Sequence, residues 1–206
     1  LISDGEDREY VCTIDELENE QVRAKIEDVN GVAKELPIKV TLFQALPKGD
    51  KMETVIQKMI ELGAYEIVPV FTKRCIVKLD NKKAVSKTKR WNSIAESAAK
   101  QSKRGIIPKV SMPVTYKEAL KMAEAMDMVL IPYENAENMA HTRQVVSQIK
   151  TGMTVGIFIG PEGGFAEEEV ERAINIGAYD ITLGKRILRT ETAGMALMSV
   201  LMFETE

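Results

Sequence analysis

From residue 36 onward, short apolar runs alternate with helical patterns, and this constrains the fold more than any other feature of the chain. The segment ELPIKVTLFQAL sets Ile38, Val40 and Leu42 against Lys39, Thr41 and Phe43, a period of two that favours a strand. Asp50 and Glu53 then have the spacing of a capping box. Met52, Val55, Ile56, Met59 and Ile60 follow on one helical face, and Gly63 is placed to end that helix in a left-handed cap. EIVPVF reads as the next strand. A long helix is predicted over 83–104, with Trp91, Ile94, Ala95, Ala98 and Ala99 on its apolar side. Thr115 and Glu118 suggest a second capping box. DMVLIPY, TVGIFIG and DITLG read as strands, and helices are predicted to close at 145–150 and to span 167–176 and 191–203. IELGAYEIVPV and INIGAYDITLG repeat one layout of helix end, glycine, Ala-Tyr, acid and strand, marking two similar corners. The pattern predicts an α/β fold with a largely parallel sheet. In such sheets ligands gather beyond the carboxyl ends of the strands.

Residues 1–35 lack helical periodicity. REYVCTI and QVRAKIEDV read as short strands, with Asn30-Gly31 as a hairpin-type turn, so this part is expected to be the end of a small β domain. The opening LISDGED has no initiator Met, and the chain is expected to begin inside that domain. No apolar run approaches the roughly 20 residues of a membrane span. Cys12, Cys75 and the single His141 cannot make a four-ligand zinc site, so no metal is expected. Two separated cysteines suit a reducing cytoplasm. His141 reads as a surface residue near a helix start.

The net charge of −3 conceals an asymmetry. Between Lys73 and Lys109 there are twelve basic residues, opposed only by Asp80 and Glu96. Such a run either neutralises phosphates or is a solvated lysine-rich helix face.

Two loops carry the chemistry. FIGPEGGFAEEE runs from a strand into a helix through Gly160, Gly163 and Gly164. It lacks the Gly-Lys-Ser/Thr ending of a phosphate-cradling P-loop and the G-x-G-x-x-G spacing of a dinucleotide site. By itself it is either a tight turn or a loop that brings backbone close to a ligand. The second loop, GKRILRTETAGMALM, places Arg189 at a helix entrance, where the dipole disfavours a cation. Thr190 or Thr192 can cap that helix. Arg189 calls for an anionic partner, either Glu191, Glu162 or a phosphate.

Together, IGPEGGF and LGKRILRTETA resemble the RsmE family of ribosomal RNA methyltransferases, in the SPOUT superfamily. LFQALPKGDKMETVIQKMIELG, EIVPVFTKRCIVK and RWNSIAESAAKQSKRGIIPKV extend the resemblance from about residue 36 to the C-terminus. It implies a SPOUT methyltransferase domain over 36–206 with a C-terminal trefoil knot, and makes 1–35 the remainder of a PUA-like, RNA-binding β domain. It implies a homodimer, with contact expected through the C-terminal helix, whose Met195, Met198 and Met202 suit adaptable packing. The family transfers a methyl group from S-adenosylmethionine (SAM) to N3 of a uridine in small-subunit rRNA, so the partner is that RNA or the assembled small subunit.

By the same resemblance, SAM is held by three loops: Ile131, Pro132 and Tyr133; Ile159, Gly160, Pro161, Glu162 and Gly163; and Leu183, Gly184, Ile187 and Leu188. Arg189 is expected to hold or polarise the uracil, with Glu191 and Glu162 as candidate bases. The basic run becomes the RNA face, with Arg74, Lys78, Arg90, Lys103 and Arg104 meeting phosphates. Lys48, Lys51 and Lys58 either add to it or form a polar helix face. The family often has Ser after GGF; Ala166 stands here, so the next helix lacks a side-chain cap and Glu167–Glu169 are expected to compensate through the dipole. Two alternatives keep the basic face: a SPOUT methyltransferase acting on another RNA such as tRNA, and an RNA-binding protein without catalysis. The intact GPEGG and LRTET argue against the latter.

Overall fold

The structure, a computed structural model, describes residues 2–5, 8–31, 34–134, 136 and 138–206. Two sheets form. The first is antiparallel, from β1 (Ile2–Ser3), β2 (Arg8–Leu17) and β3 (Val22–Gly31). Its hairpin turn lies at Glu18–Gln21, where the Glu18 N–H donates to the Gln21 carbonyl at 2.9 Å. Asn30-Gly31 is therefore not the turn: both residues sit in β3, paired with Glu9 and Arg8. The local turn preference of Asn-Gly yields here to two ten-residue strands that pair from Arg8 with Gly31 to Leu17 with Val22, interrupted by two register shifts.

The rest alternates strand and helix as the sequence predicts, with two exceptions: β4 (Lys39–Ala45), α1 (Lys51–Glu61), β5 (Glu66–Phe71), α2 (Asn81–Gln101), β6 (Lys109–Val110), β7 (Val114–Thr115), α3 (Tyr116–Ala123), β8 (Met128–Pro132), α4 (Met139–Val146), β9 (Thr154–Ile159), α5 (Glu167–Asn175), β10 (Tyr179–Ile181) and α6 (Thr190–Thr205). Two short unpredicted strands, β6 and β7, follow α2, and α4 closes at Val146, short of the expected 150. The strands order as β10-β8-β9-β4-β5-β6, with β7 also on β5, and each pairing is parallel. β4 lies at the centre, so helices cover both its faces. Thr41 and Phe43 are as buried as Val40 and Leu42, and the alternation in this segment sorts residues between two cores instead of between core and solvent.

One core joins Leu42, Ile67 and Ile157 of the sheet to α1, α2, α4 and α6 through Ile56, Trp91, Val145 and Leu197. The other joins Phe43, Val68 and Phe158 to α3 and α5 through Tyr116, Ala119 and Val170. Phe43 stacks on Phe158 at 4.5 Å between ring centroids, and Tyr116 meets Phe158 edge-on at 5.9 Å. On α6, Leu197, Met198 and Leu201 are completely buried, each worth about 1.5–3 kcal/mol of transfer free energy. Val200 and Phe203 face outward and are exposed. No helix among the described residues is long and apolar enough to cross a membrane.

Helix ends follow the sequence in part. Gly63 takes φ +99° after α1, as expected. Thr115 and Glu118 form a reciprocal capping box: the Glu118 N–H donates to Thr115 Oγ1, and the Thr115 N–H to Glu118 Oε2 at 2.8 Å. The box expected at Asp50 does not form. Asp50 precedes α1 without a side-chain cap, and Glu53 turns to Arg90 of α2 at 2.7 Å. A full cation across the helix pair outcompetes a local amide for that carboxylate. The segment before β4 is tied to the end of α2 by Glu35. Its carboxylate pairs with Arg104 and accepts the Gly105 and Ile106 N–H groups at 3.0 and 3.3 Å. Arg104 also donates to the carbonyls of Ile60 and Ala64 at the end of α1.

Candidate functional site

The carboxyl ends of β8, β9 and β10 point the same way, and the chain leaving each strand meets the other two around one cavity of about 1060 Å³. Every residue that the resemblance assigned to the cofactor lines it except Ile131. The Ile131 side chain lies instead in the core with Phe43 and Phe158, because its position in β8 turns it toward α3 and α5. Arg189, Glu191 and Arg74 also line the cavity.

Glycine is required at two points of these loops. A Cβ on Gly160 would lie 3.2 Å from the Phe165 nitrogen and 3.3 Å from Gly164 Cα, so the loop folds against its own backbone. Gly184 has φ +106°, which L side chains rarely adopt. Thr142 of α4 clamps the segment before it: its hydroxyl accepts the Thr182 N–H at 3.0 Å and donates to the Thr182 carbonyl at 3.1 Å.

The glycine loop is bolted to the segment after β5. Arg74 Nη1 donates to the Gly163 carbonyl at 2.8 Å. Buried Glu169 accepts the Ala166 N–H at 2.9 Å and the Lys73 N–H at 2.8 Å. Ala166 thus supplies no side-chain cap, and Glu169 forms the reciprocal half of a capping box by accepting the Ala166 N–H, while Glu167–Glu169 stand in the first turn where the dipole favours them. Tyr116 donates its hydroxyl to the Glu169 carbonyl at 2.6 Å, and burial pushes its phenol well above the ordinary range.

Arg189 immediately precedes α6, where it is exposed and lacks an ion-pair partner among the described residues. Neither acid expected to pair with it does so. Lys51, at the start of α1, takes both: its Nζ lies 2.9 Å from Glu162 Oε1 and 3.7 Å from Glu191 Oε2. Glu162 Oε1 also accepts the Lys48 N–H at 3.0 Å. Burial pushes the Glu162 carboxyl up, but the Lys51 ammonium and two backbone N–H groups outweigh it and hold the group below its usual range. The hydrogen bond to Glu162 raises the Lys51 pKa in turn. Glu191 Oε2 is buried and accepts no hydrogen bond among the described residues.

This clasp has a defined pH window. The contribution of Glu162 is complete above its unfolded pKa near 4.3 and is lost as pH falls through the lowered folded value. The contribution of Lys51 is complete below its unfolded pKa near 10.4 and is lost as pH rises through the raised folded value. Lys51→Met should therefore lower the thermal midpoint between about pH 5 and pH 10 and cease to matter near pH 2. An equal deficit across a thermal-shift pH series would contradict the clasp.

The basic run divides. Lys78 and Lys103 are exposed, Arg74 reaches the cavity, and Arg90 is exposed but paired with Glu53. Arg104 leaves the set of phosphate contacts: its side chain is only 5% exposed and is occupied by Glu35 and two carbonyls. Sequence reasoning did not place Lys51 in the cavity, and missed Asn138, which caps α4 by accepting the Ala140 N–H at 2.9 Å and lines the same wall. A lone Asn before a helix gives no sign of what lies beside its cap.

The family model for the RNA methyltransferase domain matches residues 34–202. The chain is 37% identical over 201 residues, 96% of its length and 78% of the relative's, to the ribosomal RNA small subunit methyltransferase E of Bacillus subtilis. The chain belongs to the ribosomal RNA small subunit methyltransferase E family. The family's member from Mesomycoplasma hyopneumoniae is 39% identical over 161 residues, 78% of this chain and 68% of that one. The fold matches the family's Neisseria gonorrhoeae enzyme, solved bound to S-adenosyl methionine, with a TM-score of 0.81, 32% identity and coverage of 98% of this chain and 81% of that one.

The cavity suits that cofactor on its own terms. Its lining combines the backbone of Gly160, Gly163 and Gly184 with the apolar side chains of Pro132, Ile159 and Leu188, the mixture of a few polar groups and apolar walls that small-molecule sites have. Among the described residues no cluster of His, Cys, Asp and Glu is placed to hold a metal.

Proposed function

We propose that this chain methylates N3 of a uridine in small-subunit ribosomal RNA, with SAM as methyl donor. The convergence of the three loops on one cavity, in a chain of this family, carries the reading. Bound SAM supplies an electrophilic methyl group on a sulfonium. The chain must hold that donor and receive the nucleotide. It must also take up the N3 proton and offset the negative charge left on the uracil.

The residues divide this work. The loops at 132–133, 159–163 and 183–188 hold the donor and exclude water. Arg189, with its charge uncommitted at the rim, offsets charge on the uracil. Glu191 is the better of the two candidate bases, because Lys51 stands off at 3.7 Å from its Oε2 and no hydrogen bond among the described residues occupies that oxygen. Glu162 is already committed to Lys51 and the Lys48 amide, and serves to hold that ammonium.

Arg74, Lys78, Arg90 and Lys103 meet RNA phosphates, with Arg90 exchanging its bond to Glu53. RNA affinity should then fall by orders of magnitude between about 50 and 200 mM salt, as counterion release requires. A filter-binding series that is flat in salt would remove this face from the model of binding. Residues 1–35 act as the remainder of a PUA-like RNA-binding domain and 36–206 as the SPOUT domain. The separate antiparallel sheet and the family match beginning at residue 34 support that division. A C-terminal trefoil knot belongs to the same reading. It is supported by the out-of-sequence strand order and by the return of α6 onto β9 and α1. The exposed Val200 and Phe203 on α6 support a homodimer through that helix. Free Cys12 and Cys75 suit work in the cytoplasm.

The deciding experiment supplies labelled SAM and small ribosomal subunits from a strain lacking the activity. Label recovered as 3-methyluridine after digestion of the RNA is the expected result. SAM binding without label on small-subunit RNA would redirect the search to another RNA, and no SAM binding would overturn the reading.

A further inference from the structure

Gln44 lies at the carboxyl end of β4, wholly buried, with its Cα opposite Ile159 of β9. Its Nε2 donates to the Ala45 carbonyl at 3.0 Å and to Thr190 Oγ1 at 2.9 Å. Thr190, 6% exposed, lies 2.6 Å from the Gly160 carbonyl through the same Oγ1. The direction of these bonds is forced. A flipped amide would set Gln44 Oε1 against the Ala45 carbonyl, two acceptors face to face, so the nitrogen must point there and to Thr190. Thr190 Oγ1 therefore accepts from Gln44, and its single proton goes to Gly160.

Orienting the amide this way has a cost. Gln44 Oε1 is buried and accepts no hydrogen bond among the described residues. Leucine or methionine would fill a central strand position without that penalty. Packing alone does not account for a glutamine here, but its partners do. Gly160 opens the cofactor loop, and Thr190 stands between Arg189 and Glu191 at the start of α6. These two parts of the site are 30 residues apart in the chain and meet through one hydroxyl.

We propose that Gln44 is a positioning residue for methyl transfer: by orienting the Thr190 hydroxyl onto the Gly160 carbonyl, it fixes the separation between the cofactor loop and Arg189. The role rests on the methyltransferase reading above. Gln44 does not line the cavity, so it acts on the site through Thr190, which does. It sets the geometry in which residues on two loops act together.

The test uses Gln44→Leu, Thr190→Val, Thr190→Ser and the double variant Gln44→Leu/Thr190→Val. The first two should lower kcat by about 100-fold, the effect of a small misplacement of reacting groups, while SAM Kd and RNA KM stay within a few-fold. Thr190→Ser keeps the hydroxyl and should restore most of the rate. The double variant should be no slower than either single one, because one relay is lost once. Wild-type turnover in Thr190→Val would overturn the proposal, and so would a double variant whose loss is the product of the single losses. If Gln44→Leu does not fold, the Val and Ser variants at 190 decide. Amide exchange over 160–164, measured without RNA, should quicken in Thr190→Val and not in Thr190→Ser; equal exchange in both would also overturn the relay. If the wild-type chain methylated no small-subunit RNA, the functional reading would fail, and the exchange result would still decide whether Gln44 and Thr190 hold the loop.

Discussion

Replacing Arg189 with alanine should all but abolish methyl transfer while leaving SAM affinity within a few-fold of wild type. The guanidinium lines the cavity at the entrance to α6 and has no ion-pair partner among the described residues. Both acids that might have neutralised it are drawn to Lys51 instead. A cation left uncommitted beside a helix N-terminus is disfavoured by the dipole unless an anion arrives. A uracil losing its N3 proton is such an anion, and a preorganised donor at the site of developing charge is worth about 10²–10³-fold in rate. Single-turnover methylation with saturating SAM measures the loss directly, and calorimetry measures SAM binding. Arg189→Lys should recover only part of the rate, since an ammonium lacks the planar fork that meets two acceptors at once. Near-normal turnover in Arg189→Ala would remove the residue from the mechanism.

Arg104→Ala should cost about 3–5 kcal/mol of stability, the range for breaking a buried ion pair from one side. The Arg104 and Glu35 side chains are 5% and 18% exposed, so solvent screens the pair little. The loss strips a donor from the carbonyls of Ile60 and Ala64 and leaves Glu35 with only the Gly105 and Ile106 amides. Those two amides place the expected value toward the lower end of the range. Urea unfolding measures it, and Arg104→Met paired with Glu35→Gln should recover much of the loss. RNA affinity of the folded Arg104→Met protein should match wild type within a few-fold. A large fall in affinity with unchanged stability would return Arg104 to the RNA face.

Much of this architecture is legible locally. The face formed by Met52, Val55, Ile56, Met59 and Ile60 is buried as its spacing requires. Gly63 ends α1, and Thr115 with Glu118 caps α3. The loops around Gly160 and Gly184 were recognisable because their residues are contiguous and their glycines have a backbone reason to be there. What fails to show locally is competition. Asn30-Gly31 looked like a turn until two long strands paired through it, and Asp50 with Glu53 looked like a cap until Arg90 claimed the glutamate. Arg104 looked like one more cation in a basic run, although Glu35, 69 positions away, holds it inside.

By itself, then, the sequence determined the class of fold, the succession of its elements and the loops that carry the chemistry. Each of these depends on periodicity or on residues a few positions apart. Only the tertiary structure decided which charges are free and which are spent, and that Gln44 donates a hydrogen bond inside the core to Thr190, 146 positions away. The physical reason lies in the sheet. Its order of β10-β8-β9-β4-β5-β6 sets strands side by side that are far apart in the chain. A hydrogen bond or ion pair made across such neighbours leaves no trace in the spacing of either partner.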